Sequence, residues 1–185
     1  MSILKEDAEI DALDLKELHE GAAGITPRFG AVLSEAASVC LDDQQTGNPV
    51  NMELSGSIMG NINVGWDVPT LQAKRCYADL EVATEHGAYG IAALLIRHFS
   101  DCEVVERSRK GTGFDYWIGE KGGDDKLFQR KARLEVSGIR KGTIGDIESR
   151  VRRKQEQTKR TAGTIPAIVA VVEFGRPHAR LVEEA

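Results

Sequence analysis

The chain has 185 residues, 41% of them hydrophobic and 29% charged, and a formal net charge of −5. That length suits one domain with a real core, and the composition is that of a soluble globular protein rather than a disordered one. So mild an acidic excess excludes a protein that simply coats polyanions.

In chain order, the first signal is acidic. Residues 2–20 hold seven acids against two lysines, with only sparse apolar positions at Ile3, Ile10, Leu13 and Leu18. This predicts an N-terminal arm or polar helix over residues 1–24, broken at Gly21 and Gly24 and free to meet a protein partner. Thr26-Pro27 is a capping residue followed by a first-turn proline. It opens a helix over 27–42, with Phe29, Val32, Leu33, Ala36, Ala37 and Cys40 at helical spacing. Gly47-Asn48-Pro49 stops it, and the alternating runs 50–55 and 57–66 predict a β-hairpin.

Residues 70–99 give the strongest helical signal, read as two segments with a break near Gly87. Strands are expected at 103–107, 114–119 and 128–139, then a charged amphipathic helix at 147–161. The apolar run 166–174 reads as a strand buried on both faces, with a short final strand at 179–183. A helix joining two strands of one sheet makes them parallel. The expectation for residues 25–185 is therefore a single α/β domain with a mixed sheet flanked by helices.

Three scattered cysteines (Cys40, Cys76, Cys102) without CxxC spacing point to reduced thiols. An acidic N-terminus and short apolar runs argue against a signal peptide or a membrane span, so the cytoplasm is the expected location. The histidines are isolated, which disfavours zinc chemistry. Lys110-Gly111-Thr112-Gly113 lacks the P-loop pattern, and no GxSxG occurs.

The chemistry concentrates on two acids. Asp115 and Glu135 each sit in a β-favouring run, on two strands of an expected hairpin whose neighbours lie about 5 Å apart. Two carboxylates on one face suit an oxygen-seeking cation such as Mg²⁺. A structural ion-pair cluster with Arg133 is the alternative. Glu85 opens an apolar helical segment, where an acid either caps or contributes to a site. Residues 129–160 hold eleven Lys/Arg against four acids. The run holding Arg152, Arg153, Lys154 and Lys159 is either a solvated face or a set of phosphate contacts.

An acid on a helix (Glu85), Asp115 on the second following strand, Glu135-Val136-Ser137 on the third, and Gln155 on the next helix together resemble the PD-(D/E)XK nuclease superfamily. The resemblance spans about residues 78–174. It implies a restriction-endonuclease-like αβββαβ core, to which the N-terminal helix and β-hairpin are additions. It further implies Mg²⁺ or Mn²⁺ on Asp115 and Glu135, with Glu85 as a further contact, DNA as substrate, and phosphodiester hydrolysis. Gln155 resembles the glutamine of resolvase-like and exonuclease-like members. Several members act as homodimers, so a second copy is also an implied partner.

One departure matters. The superfamily's lysine, two residues after the second acid, is Ser137 here. A neutral hydroxyl cannot offset charge that develops in the transition state. Lys131 shares a strand face with Glu135 by the period of two, and Lys154 neighbours Gln155. Either would supply the cation. Without one, the resemblance implies a catalytically inactive, nuclease-like scaffold or a DNA-binding or protein-binding subunit.

Overall fold

The computed structural model describes residues 2–5, 10–122, 130–160 and 165–184. Its elements are β1 (Ala12–Asp14), a 3-10 helix (Leu15–Glu20), α1 (Pro27–Gln44), β2 (Val50–Gly56), β3 (Gly60–Gly65), α2 (Leu71–Cys76) and α3 (Leu80–Phe99). They continue with β4 (Cys102–Arg107), β5 (Tyr116–Glu120), β6 (Ala132–Ile139), α4 (Ile144–Arg160), β7 (Ala167–Glu173) and β8 (His178–Glu184). The eight strands form one mixed sheet in the order β1-β3-β2-β8-β7-β6-β5-β4. The protein is thus α/β, as expected, and no helix among the described residues is long and apolar enough to cross a membrane.

The two faces of the sheet bury different helices, and β7 shows why. All seven of its residues are buried. Ile168, Ala170 and Val172 join the main core with α1 and α3, whereas Val169 and Val171 pack with Ile147 and Val151 of α4. Alternation sends successive side chains to opposite faces, so a strand covered on both sides must read as a continuous apolar run. The α4 crossover makes β6 and β7 parallel, in register from Arg133↔Ala167 to Ile139↔Glu173.

Local chemistry starts the helices where the sequence predicts. Thr26 caps α1 by accepting from the Phe29 amide at 3.2 Å, with Pro27 in the first turn. The break in residues 70–99, however, lies at Tyr77–Asp79, where Asp79 caps α3 through the Glu81 amide at 3.0 Å. Gly87 is mid-helix for a different reason. A Cβ there would lie 2.9 Å from the Ala37 Cα, so this glycine lets α1 and α3 touch.

The N-terminal expectation needs the larger correction. Of the segment expected as one polar helix, residues 6–9 lie outside the described residues, and the described stretch 10–20 is a strand and a 3-10 turn instead. Leu13 lies in β1, parallel to β3, and Leu15 and Leu18 anchor the 3-10 helix, all three buried. Asp14 and Glu17 close a capping box at that turn. Glu17 and Glu20 are engaged by His98 and Arg97 at 2.6 Å each, so these acids face α3 rather than standing free. The three-residue spacing of Leu15 and Leu18 suits a 3-10 turn as well as an α-helix, which is why periodicity misread it.

β6 passes against the first turns of α3, and Gly138 permits the approach. A Cβ at 138 would lie 2.4 Å from the Thr84 carbonyl oxygen. Gly138→Ala is expected to force β6 and α3 apart and to cost about 1–3 kcal/mol. Chemical denaturation reads this directly. A wild-type midpoint would show that the contact yields without cost.

Candidate active site

A cleft of about 830 Å³ opens where α3, β6 and α4 meet. Its chemistry is built around Asp115 and Glu135. The hairpin register pairs Tyr116 with Leu134, and the Asp115 amide donates to the Leu134 carbonyl at 2.9 Å. One residue further along, Asp115 therefore lies beside Glu135. Its Oδ2 accepts from the Val136 amide at 2.8 Å, and its Oδ1 receives the Tyr89 hydroxyl at 3.1 Å.

Glu135 is only 2% exposed. Its Oε1 accepts from Lys154 Nζ at 2.5 Å and from Gln157 Nε2 at 3.3 Å. Burial raises its pKa to about 7; the negative charge of Asp115 adds to the rise and Lys154 opposes it. Tyr89 sits between two acids. Its hydroxyl lies 2.8 Å from Glu85 Oε1 and 3.1 Å from Asp115 Oδ1, yet it owns one proton to give. Burial first, then Asp115 and Glu85, push that hydroxyl's pKa far up, so it stays a neutral donor. Three carboxylates thus share one ammonium and one phenol, which leaves an excess of negative charge.

The sequence-based expectations divide here. Asp115, Glu135, Glu85 and Lys154 come together. Lys131 does not: its ammonium pairs with Glu120, and it is absent from the cleft lining. It precedes the start of β6, so the strand's alternation does not carry it into the cleft. Gln155 is also displaced. One step along a helix turns a side chain by about 100°, so Gln157, three residues from Lys154, shares its face and Gln155 does not. Gln157 also reaches the Gly113 carbonyl at 3.4 Å, tying the 110–113 turn to the site.

Arg133 is buried and donates to the carbonyls of Ile165 and Thr158, while the ion pair to Glu135 comes from Lys154. Arg152 and Arg153 are exposed and outside the cleft lining, and Lys159 lies 3.7 Å from Glu184. Tyr89, Gln157 and Arg150 escaped the sequence reading. Tyr89 is four residues from Glu85, and Arg150 four before Lys154, so the same-face rule for helices is the signal that finds them.

Among the described residues, no three His, Cys, Asp or Glu side chains converge as a ready cation cluster. The donors present still suit a hard cation. Mg²⁺ is held by one or two carboxylates, with water and phosphate oxygens completing its shell. A buried carboxyl whose ionisation is resisted by an adjacent acid is relieved by such an ion. Compared with protein families, with curated proteins and with solved structures, the chain matches none of them.

Proposed function

We propose that this chain is a metal-dependent phosphodiester hydrolase acting on DNA, a divergent relative of the PD-(D/E)XK nucleases. The observation that carries the reading is the facing of Asp115 and Glu135 in one cleft, with Lys154 on Glu135. The run α3-β4-β5-β6-α4-β7 has the αβββαβ order of a restriction-endonuclease-like core, which supports the same assignment.

In this reading Asp115 and Glu135 would hold Mg²⁺ or Mn²⁺, and Glu85 would adjust the site through Tyr89 rather than by direct contact. The chemistry such an ion supplies is activation of water and neutralisation of phosphate charge. Val136 N–H and Tyr89 fix the two oxygens of Asp115. Gln157 and Lys154 fix Glu135, and the partly buried Lys154 ammonium would face the negative charge that develops on phosphorus oxygens. The cation displaced from position 137 thus enters from α4.

Incubation with single- and double-stranded DNA in Mg²⁺ or Mn²⁺ is expected to give cleavage that stops on EDTA. Calorimetric titration with Mn²⁺ is expected to show uptake. The Lys154–Glu135 contact favours a second reading, an inactive scaffold in which the ammonium takes the cation's place. Absence of both cleavage and Mn²⁺ uptake overturns the hydrolase and leaves that scaffold.

A further inference from the structure

Beyond Lys154 the cleft is lined by Arg140, Lys141 and Arg150, and the last is fixed against β6. Arg150 donates from Nη1 to Ser137 Oγ at 2.7 Å, with a longer contact to the Gly138 carbonyl at 3.4 Å. It lines the cleft, and burial followed by the charge of Arg153 lowers its pKa. Three other arginines sit on acids, Arg97 on Glu20, Arg130 on Glu106 and Arg140 on Asp43. Among the described residues no carboxylate forms an ion pair with Arg150. A guanidinium carries five N–H donors in a planar fork, and neutral contacts through one nitrogen leave most of them unmatched. A half-buried cation opposed only by the longer-range charge of Asp146, four residues back on α4, gains from an anionic ligand in direct contact.

Its placement says what that ligand is. Ser137 lies two residues beyond Glu135 on the same strand face, a step of about 7 Å. Arg150 is thus held one short stride from the acid pair, a span comparable to that between neighbouring phosphates of a nucleic-acid strand. We propose that Arg150 binds the phosphate next to the one that is cut, and that Ser137 is present to orient it. The inference rests on the phosphodiesterase reading above. It also explains the residue that departs from the superfamily pattern. Lysine at 137 would put an ammonium against the guanidinium that Ser137 Oγ now receives, so serine and arginine work as a pair.

The test is fluorescence anisotropy of a fluorescein-labelled duplex DNA 20-mer, with Ca²⁺ replacing Mg²⁺ to hold the complex, across a series of salt concentrations. Arg150→Ala is expected to weaken binding by roughly 10- to 100-fold, the loss of a charge-assisted hydrogen bond. It should also lower the slope of log affinity against log salt by about 0.9, one phosphate contact. Arg150→Lys keeps the slope but loses affinity, because an ammonium lacks the fork. Ser137→Ala keeps the slope with a smaller loss, and Ser137→Lys binds more weakly than the wild type. If Arg150→Ala does not fold, Arg150→Gln gives the same slope comparison. Wild type that binds and cuts, alongside folded Arg150→Ala with unchanged affinity and slope, overturns the phosphate contact alone. Wild type that binds no DNA overturns both this contact and the phosphodiesterase reading.

Discussion

Glu135→Gln is expected to abolish metal-dependent hydrolysis, by at least about 10²–10³-fold, while making the metal-free protein more stable at pH 8. The first effect follows from removing one of two carboxylates that would hold the cation, a loss on the scale of one preorganised electrostatic group. The second follows from the carboxyl's environment. Its pKa is raised to about 7 by burial and by Asp115, whereas an unfolded chain releases that proton near the ordinary value of about 4.3. Between these values the folded state binds more protons than the unfolded one, so stability falls as pH rises through the window. Above pH 7 the ionised, buried Glu135 opposes the fold by a few kcal/mol, and glutamine mimics the neutral acid. The stability difference between variant and wild type should therefore be small at pH 4.5 and grow to its full size by pH 8. Thermal melts at the two pH values measure it. Mn²⁺ should then raise the wild-type midpoint by mass action and leave that of the variant almost unmoved. Equal response of both proteins to Mn²⁺ would place the ion elsewhere.

The opposition between these effects explains how the site persists. A pair of facing acids, one of them almost wholly buried, is a poor choice for stability. The fold accommodates it by fixing both oxygens of Asp115 and one of Glu135. Val136 and Tyr89 hold Asp115, and Lys154 and Gln157 hold Glu135. The residual charge imbalance is what makes the arrangement receptive to a divalent ion, and it requires α3, β6 and α4 to stay in contact. Gly138 against Thr84 provides one of those contacts.

The sheet and the site were legible in the sequence to different degrees. β7 could be read because burial on both faces leaves a residue pattern that little else produces, and α1 because Thr26-Pro27 marks its start. Asp115 and Glu135 could be paired because a hairpin brings neighbouring strands together at a known spacing. The N-terminal segment could not be read. Its three leucines obey a strand step and then a 3-10 step, and their burial depends on β3 and α3, far away in the chain. Gln155 and Lys131 failed for a common reason. Each lies on the correct element or next to it, but Gln155 is turned off the Lys154 face of α4, and Lys131, just before β6, is drawn to Glu120. Arg150 was hidden because a lone arginine in a basic helix looks like any solvated charge until its partner is known.

Lys154→Met is expected to lower the rate of DNA hydrolysis by about 10²–10³-fold, whereas Lys131→Met should change it little. The reasoning separates two lysines that strand periodicity alone would rank the other way. Lys131 is nearly half exposed in an ion pair with Glu120, and surface pairs of that kind contribute about 0–1 kcal/mol. Lys154 is held at 20% exposure on a carboxylate that is itself 2% exposed, and its charge is therefore poorly screened. A second signature distinguishes a working cation from a packing residue. The hydrogen bond and charge of Lys154 hold the Glu135 pKa down. Removing them pushes that pKa above about 7, so the acidic limb of the pH–rate profile should move to higher pH. Lys154→Arg keeps the charge and should leave the limb close to its wild-type position even where the rate falls. A large loss in Lys131→Met beside a small one in Lys154→Met would reverse the assignment, because the cation opposite the acids would then come from the strand and not from the helix.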